Sequence, residues 1–144
     1  MFFGQYDHNI DEKGRFTIPS RYRDLLDGNA YITLGFEDNL MVMRTEDYDQ
    51  LYHKSKQLSI TNEQGRKLAR TLFGHAELLE IDKNGRILIP QFLRTKINLG
   101  SSVKVIGVGS YFEIWPSDQW SMQQEEYSDG ESRAKMFEDL ELTF

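Results

Sequence analysis

The 144 residues include no cysteine. Disulfide frameworks and thiolate zinc sites are therefore excluded. The three histidines, His8, His53 and His75, do not fall at the spacings of a metal-ligand set,. No metal and no cofactor are expected. No apolar run approaches the roughly 20 residues that a membrane-spanning helix needs. The opening Met1-Phe2-Phe3-Gly4-Gln5-Tyr6-Asp7 lacks the basic flank and apolar stretch of a signal peptide,. A cytoplasmic location is expected, with no membrane partner. A glycine-rich phosphate loop is missing, as is any motif that sets a nucleophile beside a histidine, so catalysis is not expected.

Positive charge is also in short supply. Lys and Arg number 17 against 23 Asp and Glu, a net charge of −6. This balance argues against broad, non-specific coating of nucleic acid. The deficit is concentrated, however. From Gln123 onward Glu125, Glu126, Asp129, Glu131, Glu138, Asp139 and Glu141 face only Arg133 and Lys135, which leaves the body nearly neutral. Phosphates respond to charge within a Debye length of about 10 Å, so local basic loops remain effective.

What the chain has is a duplication. Ile10-Asp11-Glu12-Lys13-Gly14-Arg15-Phe16-Thr17-Ile18-Pro19 returns 71 residues later as Ile81-Asp82-Lys83-Asn84-Gly85-Arg86-Ile87-Leu88-Ile89-Pro90. Arg23 and Arg94 keep this separation. After one inserted residue, Gly28/Gly100, Gly35/Gly107, Leu40/Phe112, Val42/Ile114, Glu46/Asp118 and Tyr48/Trp120 correspond at a separation of 72. One supersecondary unit occurs twice. Each copy alone would bury little surface. The two copies are therefore expected to share one core about an approximate two-fold axis.

The local chemistry is that of strands and turns. Asp11-Glu12-Lys13-Gly14 and Asp82-Lys83-Asn84-Gly85 have Asp at the first and Gly at the fourth turn position,. Glycine supplies the positive φ with which such a turn rejoins a strand. Tyr6, His8 and Ile10 alternate before the first turn, and Phe16 and Ile18 after it; Leu79, Ile81, Ile87 and Ile89 repeat the pattern,. Two hairpins tipped by basic loops are expected. Short helices should follow Pro19 and Pro90, with Tyr22, Leu25 and Leu26, or Phe92, Leu93 and Ile97, facing inward, and should end at Gly28 and Gly100. Strands are expected at Ala30–Leu34, Leu40–Met43, Val103–Val108 and Tyr111–Trp115. Each repeat should close with a helix, capped at Thr45 or Ser117. The fold class is mainly β with short helices (α+β). The division is a first repeat over 1–57, a connecting helix over 58–74, a second repeat over 75–127 and an acidic tail over 128–144.

Arg15 and Arg86 stand beside a turn glycine in both copies. A guanidinium fork matches the O6 and N7 edge of guanine, and a tight loop carries it into a groove. The competing reading is a solvated arginine or an ion pair with Asp11 or Asp82. Lys13 and Lys83 suit phosphate contact or plain solvation. Asp11, Gly14, Asp82 and Gly85 shape the loops. Arg21, Arg23 and Arg94 either extend a basic surface or are solvated. Arg66, Lys67 and Arg70 make a basic helix face that is solvated or meets another subunit. Tyr48, Leu51, Tyr52 and Trp120 belong to core or subunit interface.

The paired Asp-x-x-Gly-Arg…Ile-Pro signature, with the opening Met1 to Asp11, strongly resembles the MraZ family of bacterial transcriptional regulators. The likeness spans nearly the whole chain and weakens after about Tyr127. It implies an AbrB-like swapped-hairpin β-barrel, with both units in one chain and chains joined in homo-oligomeric rings. It further implies sequence-specific, nucleoid-associated binding to double-stranded DNA. The implied targets are short G-rich direct repeats at the promoter of the division and cell-wall gene cluster. The family's DNA-contact arginines map onto Arg15 and Arg86. The alternative function is a ring-forming protein-interaction scaffold.

Overall fold

A computed structural model describes residues 1–142. Thr143 and Phe144, the end of the expected acidic tail, lie outside the described residues. Eight strands are joined by short helices. The first repeat contributes β1 (Gln5–Asn9), β2 (Arg15–Thr17), α1 (Ser20–Arg23), β3 (Asn29–Leu34), β4 (Leu40–Met43) and α2 (Thr45–Ser55). A connecting helix, α3 (Glu63–Leu72), follows. The second contributes β5 (Glu77–Glu80), β6 (Arg86–Leu88), α4 (Gln91–Lys96), β7 (Ser102–Gly107), β8 (Tyr111–Pro116) and α5 (Ser117–Glu125), before α6 (Gly130–Met136) in the tail.

Six strands form one antiparallel sheet in the order β1-β7-β8-β4-β3-β5. Read inward from either edge, this order gives the same succession of repeat-equivalent strands. At its centre Met41 faces Glu113, which are equivalent positions. The remaining pair, β2 and β6, forms a separate antiparallel ribbon in which Phe16 faces Ile87, again equivalents. An approximate two-fold axis therefore passes through both pairs, as the duplication requires.

The hairpin expectation needs correction. Neither turn joins two arms that pair with each other along their length. β1 pairs with β7 and β5 with β3, while β2 and β6 leave their own arms and pair together. A single bridge, Ile10 to Phe16, survives between the arms of the first turn. The arms are thus exchanged between repeats, but the barrel is not closed. β1 and β5 remain free edges of the six-stranded sheet, and the ribbon lies across it. The ribbon is also short. Each of its strands ends within two residues of Pro19 or Pro90, which have no N–H to extend a ladder,.

Alternation then places the core. Phe16, Ile18, Ile87 and Ile89 point from the ribbon toward Ala30, Ile32, Leu40, Val42, Val103, Val105, Phe112 and Ile114 on the inner sheet face. Tyr22, Leu26, Leu93 and Ile97 from α1, α4 and their C-terminal turns fill the same core. Phe92 departs from expectation and is exposed. The outer sheet face carries Met41 and Met43 against Tyr48, Leu51 and Phe73. It also carries Ile106 and Trp115 against Trp120. The left-handed residue after α4 is Asn98 rather than Gly100, a role asparagine tolerates,. Arg44 and Pro116, rather than Thr45 and Ser117, precede α2 and α5, and neither helix has a side-chain cap.

Candidate nucleic-acid interface

Each signature turn is built around its aspartate. Asp11 Oδ1 accepts from the backbone N–H groups of Lys13 (3.0 Å) and Arg15 (2.9 Å). Its carbonyl accepts from Gly14 N–H at 3.0 Å. Asp82 does the same for Asn84 (2.8 Å), Arg86 (2.9 Å) and Gly85 (2.9 Å). These bonds explain why Asp begins both motifs and why the spacing of four residues from Asp to Arg recurs. The Arg15 and Arg86 backbone donors, followed by their side chains, hold the two carboxyls below the usual aspartate range.

The arginine side chains complete the turns. Arg15 Nε donates to Asp11 Oδ2, and Arg86 Nε donates to Asp82 Oδ2 at 3.0 Å. The ion pair set against DNA contact is therefore present in both repeats, and it is compatible with DNA contact. It engages one of the five guanidinium N–H groups. The terminal nitrogens have no partner among the described residues. About a third of each side chain stays exposed, 38% for Arg15 and 31% for Arg86. The aspartate thus fixes the root of each guanidinium and leaves the outer fork edge free.

The ribbon register brings the two arginines together. Arg15 faces Leu88, and Thr17 faces Arg86. With Phe16 and Ile87 buried, Arg15, Thr17, Arg86 and Leu88 share the solvent face,. Arg15 and Arg86 are diagonal neighbours, about 7–8 Å apart at their roots. Two arginines 71 residues apart in the chain occupy one small exposed surface. Lys13 and Lys83 are exposed in the flanking turns, beside Glu12 and Asn84.

Other basic residues divide by location. Arg94 lies against Gly14, and Arg23 lies against Gly85, each arginine crossing to the turn of the other repeat. Their Nε atoms donate to the carbonyls of Ile89 (3.1 Å) and Ile18 (2.9 Å). Both are half-buried and pack against the turns rather than standing free in solvent. Sequence reading missed this because the contact is between repeats. Arg66, Lys67 and Arg70 belong to α3, which packs on the outer sheet face through Leu72, whose carbonyl accepts from Thr33. They do not join the ribbon surface. Thr17 and Leu88 were also missed, although the alternation about Phe16 and Ile87 marks them as outward-facing. No cluster of metal-ligating side chains occurs among the described residues.

A family model described as "MraZ protein, putative antitoxin-like" matches the chain twice, over residues 1–71 and 72–142. A transcriptional regulator MraZ of Finegoldia magna is 41% identical over 132 residues, covering 92% of this chain and 90% of that protein. The transcriptional regulator MraZ of a Roseiflexus species is 42% identical over 120 residues, 83% and 84% of the two chains. That of Alkaliphilus metalliredigens is 40% identical over 126 residues, 88% of each. With two matching repeats that together span residues 1–142, and relatives alike over most of their length, this chain belongs to the MraZ family.

Proposed function

We propose that the protein is a sequence-specific DNA-binding transcriptional regulator that reads guanine with Arg15 and Arg86. The observation that carries this reading is their convergence on one exposed ribbon face, each held at its root by an aspartate. A separation of about 7–8 Å matches roughly two base steps of 3.4 Å. Pre-held forks of this kind lose less freedom on binding than free side chains. The regulatory names of its relatives point the same way. Lys13 and Lys83 contact flanking phosphates. Short G-rich direct repeats at the promoter of the division and cell-wall gene cluster are the proposed targets, which makes the protein nucleoid-associated. The reading includes no catalytic step.

A second part of the proposal is homo-oligomeric assembly into a ring. Tyr52, Leu58 and Ile60 are exposed beside α3, Ile60 at 82%. Such apolar surface suits contact between copies. Linked copies would multiply weak contacts to repeated sites.

The test is binding of wild type, Arg15→Ala, Arg86→Ala and Lys13→Ala to the gene's own upstream duplex and to a scrambled duplex across a salt series. Each arginine variant should keep its fold, lose about 1–3 kcal/mol on the upstream duplex and discriminate less. Lys13→Ala should weaken both duplexes about equally and flatten the salt dependence. Wild-type affinity and discrimination in both arginine variants would move the binding surface elsewhere. Sedimentation of the same protein as a monomer, with binding undiminished, would remove the ring.

A further inference from the structure

The outer ribbon face is nearly, but not fully, symmetric. The approximate two-fold axis exchanges Arg15 with Arg86 and Thr17 with Leu88. The arginines are identical; the other pair is not. Register then gives each arginine a different direct neighbour, Leu88 for Arg15 and Thr17 for Arg86. Leu88 is 56% exposed, a large apolar side chain on the solvent face opposite the buried Ile87. Thr17 is also exposed, and its hydroxyl has no partner among the described residues. The turns break the symmetry as well. Glu12-Lys13 is neutral as a pair, whereas Lys83-Asn84 carries one positive charge.

The chemistry of base edges gives this asymmetry a meaning. In the major groove thymine alone among the four bases presents a methyl group. An isobutyl group beside a guanine-reading arginine is satisfied by that methyl. Against an amino or carbonyl edge it would strip water and return no hydrogen bond. Threonine can donate or accept and meets any base edge. Cross-strand neighbours stand about 4.5–5.5 Å apart, close enough for Arg15 and Leu88 to meet adjacent stacked bases.

We propose that Leu88 is a specificity-determining residue that packs on the methyl of a thymine next to the guanine bound by Arg15, and that the Thr17/Leu88 difference sets one orientation of the ribbon on DNA. This rests on the DNA-binding reading above. A symmetric face would read a palindrome. An oriented face reads a site with direction, and copies arranged in series read such sites in series.

The experiment begins with a duplex library carrying a randomised core, enriched separately on wild type, Leu88→Thr, Thr17→Leu and the exchanged pair Thr17→Leu/Leu88→Thr. All positions are on the solvent face, and circular dichroism checks each fold. Wild type should enrich a thymine beside one guanine, on one side of the site. Replacing that thymine by deoxyuridine removes only the methyl and should weaken wild-type binding about fourfold, the value of one buried methyl-sized group. Leu88→Thr should be indifferent to the same replacement. The exchanged pair should move the thymine preference to the symmetry-related position. If wild type enriches defined sites yet ignores the methyl, or Leu88→Thr keeps full sensitivity to it, the assignment of Leu88 is wrong while DNA reading stands. If wild type enriches no sequence at all, the DNA-binding reading falls and this assignment falls with it.

Discussion

At the residue scale the aspartate of each signature turn has two roles. One carboxylate oxygen takes the backbone donors that set the turn, and the other takes Nε of the arginine four residues on. A lysine would replace that arginine poorly, because its three donors sit on one point charge and lack the rigid planar fork that pairs along one edge and presents another. Tyr22 shows the same economy inside the core. Its ring packs edge-on against Phe2 at 5.1 Å and Tyr6 at 5.4 Å, and its hydroxyl donates to the carbonyl of Phe3 at 2.6 Å. Burial pushes the phenol up to about 12. An unfolded tyrosine ionises near 10. The fold therefore holds this proton more tightly than the unfolded chain does. The resulting stability is complete below about pH 10 and is lost as pH rises toward 12. Tyr22→Phe should cost about 1 kcal/mol at neutral pH through the lost hydrogen bond and should lessen the alkaline loss. Urea unfolding of both proteins at pH 8 and pH 11 measures this. Equal alkaline losses would show that other groups govern it.

At the element scale the turns are held from both sides. Gly14 and Gly85 have φ of 88° and 76°, which favours glycine,. They also pack closely against the opposite repeat. A Cβ on Gly14 would stand 2.7 Å from the Arg94 guanidinium carbon, and one on Gly85 would stand 2.5 Å from Arg23. The two costs are separable. Gly85→Ala should destabilise by on the order of 1–2 kcal/mol from the backbone conformation alone, with the steric part added. Removing the obstructing side chain in Gly85→Ala/Arg23→Ala should recover the steric part and leave the backbone part. A double-mutant cycle by chemical denaturation tests this. Strict additivity of the two substitutions would mean that Arg23 does not brace the turn.

At the scale of the whole molecule the repeats cannot be separated without breaking their strands. β1 and β2 find their long partners in β7 and β6, and β5 finds its partner in β3. Neither half retains a complete core. Unfolding should therefore be a single cooperative transition. Both tryptophans, Trp115 and Trp120, lie in the second repeat, so their fluorescence reports that half while far-ultraviolet circular dichroism reports the whole chain. The two signals should share one denaturation midpoint. Phe16→Ala, in the first repeat, should lower both midpoints together, costing about 3–5 kcal/mol for a fully buried ring,. A tryptophan transition unmoved by Phe16→Ala would separate the repeats into independent folding units.

The sequence by itself determined what depends on residues a few positions apart. Asp11 and Gly14, with Asp82 and Gly85, specify their turns through bonds spanning two to four residues. Alternation about Phe16 and Ile87 assigns the buried face. Duplication alone announces the two-fold axis, because equal sequences make equal units. Only the tertiary structure decided which strands pair. β2 could have zipped onto β1 across a four-residue turn, and the local pattern is silent on its exchange for β6. That choice is made by the shared core, where the ribbon buries Phe16, Ile18, Ile87 and Ile89 together. The same long-range pairing put Leu88 beside Arg15, set Arg23 and Arg94 under the other repeat's turns, and left the barrel open. Contacts between residues some 70 positions apart have no local signature, since their geometry exists only once both repeats are folded.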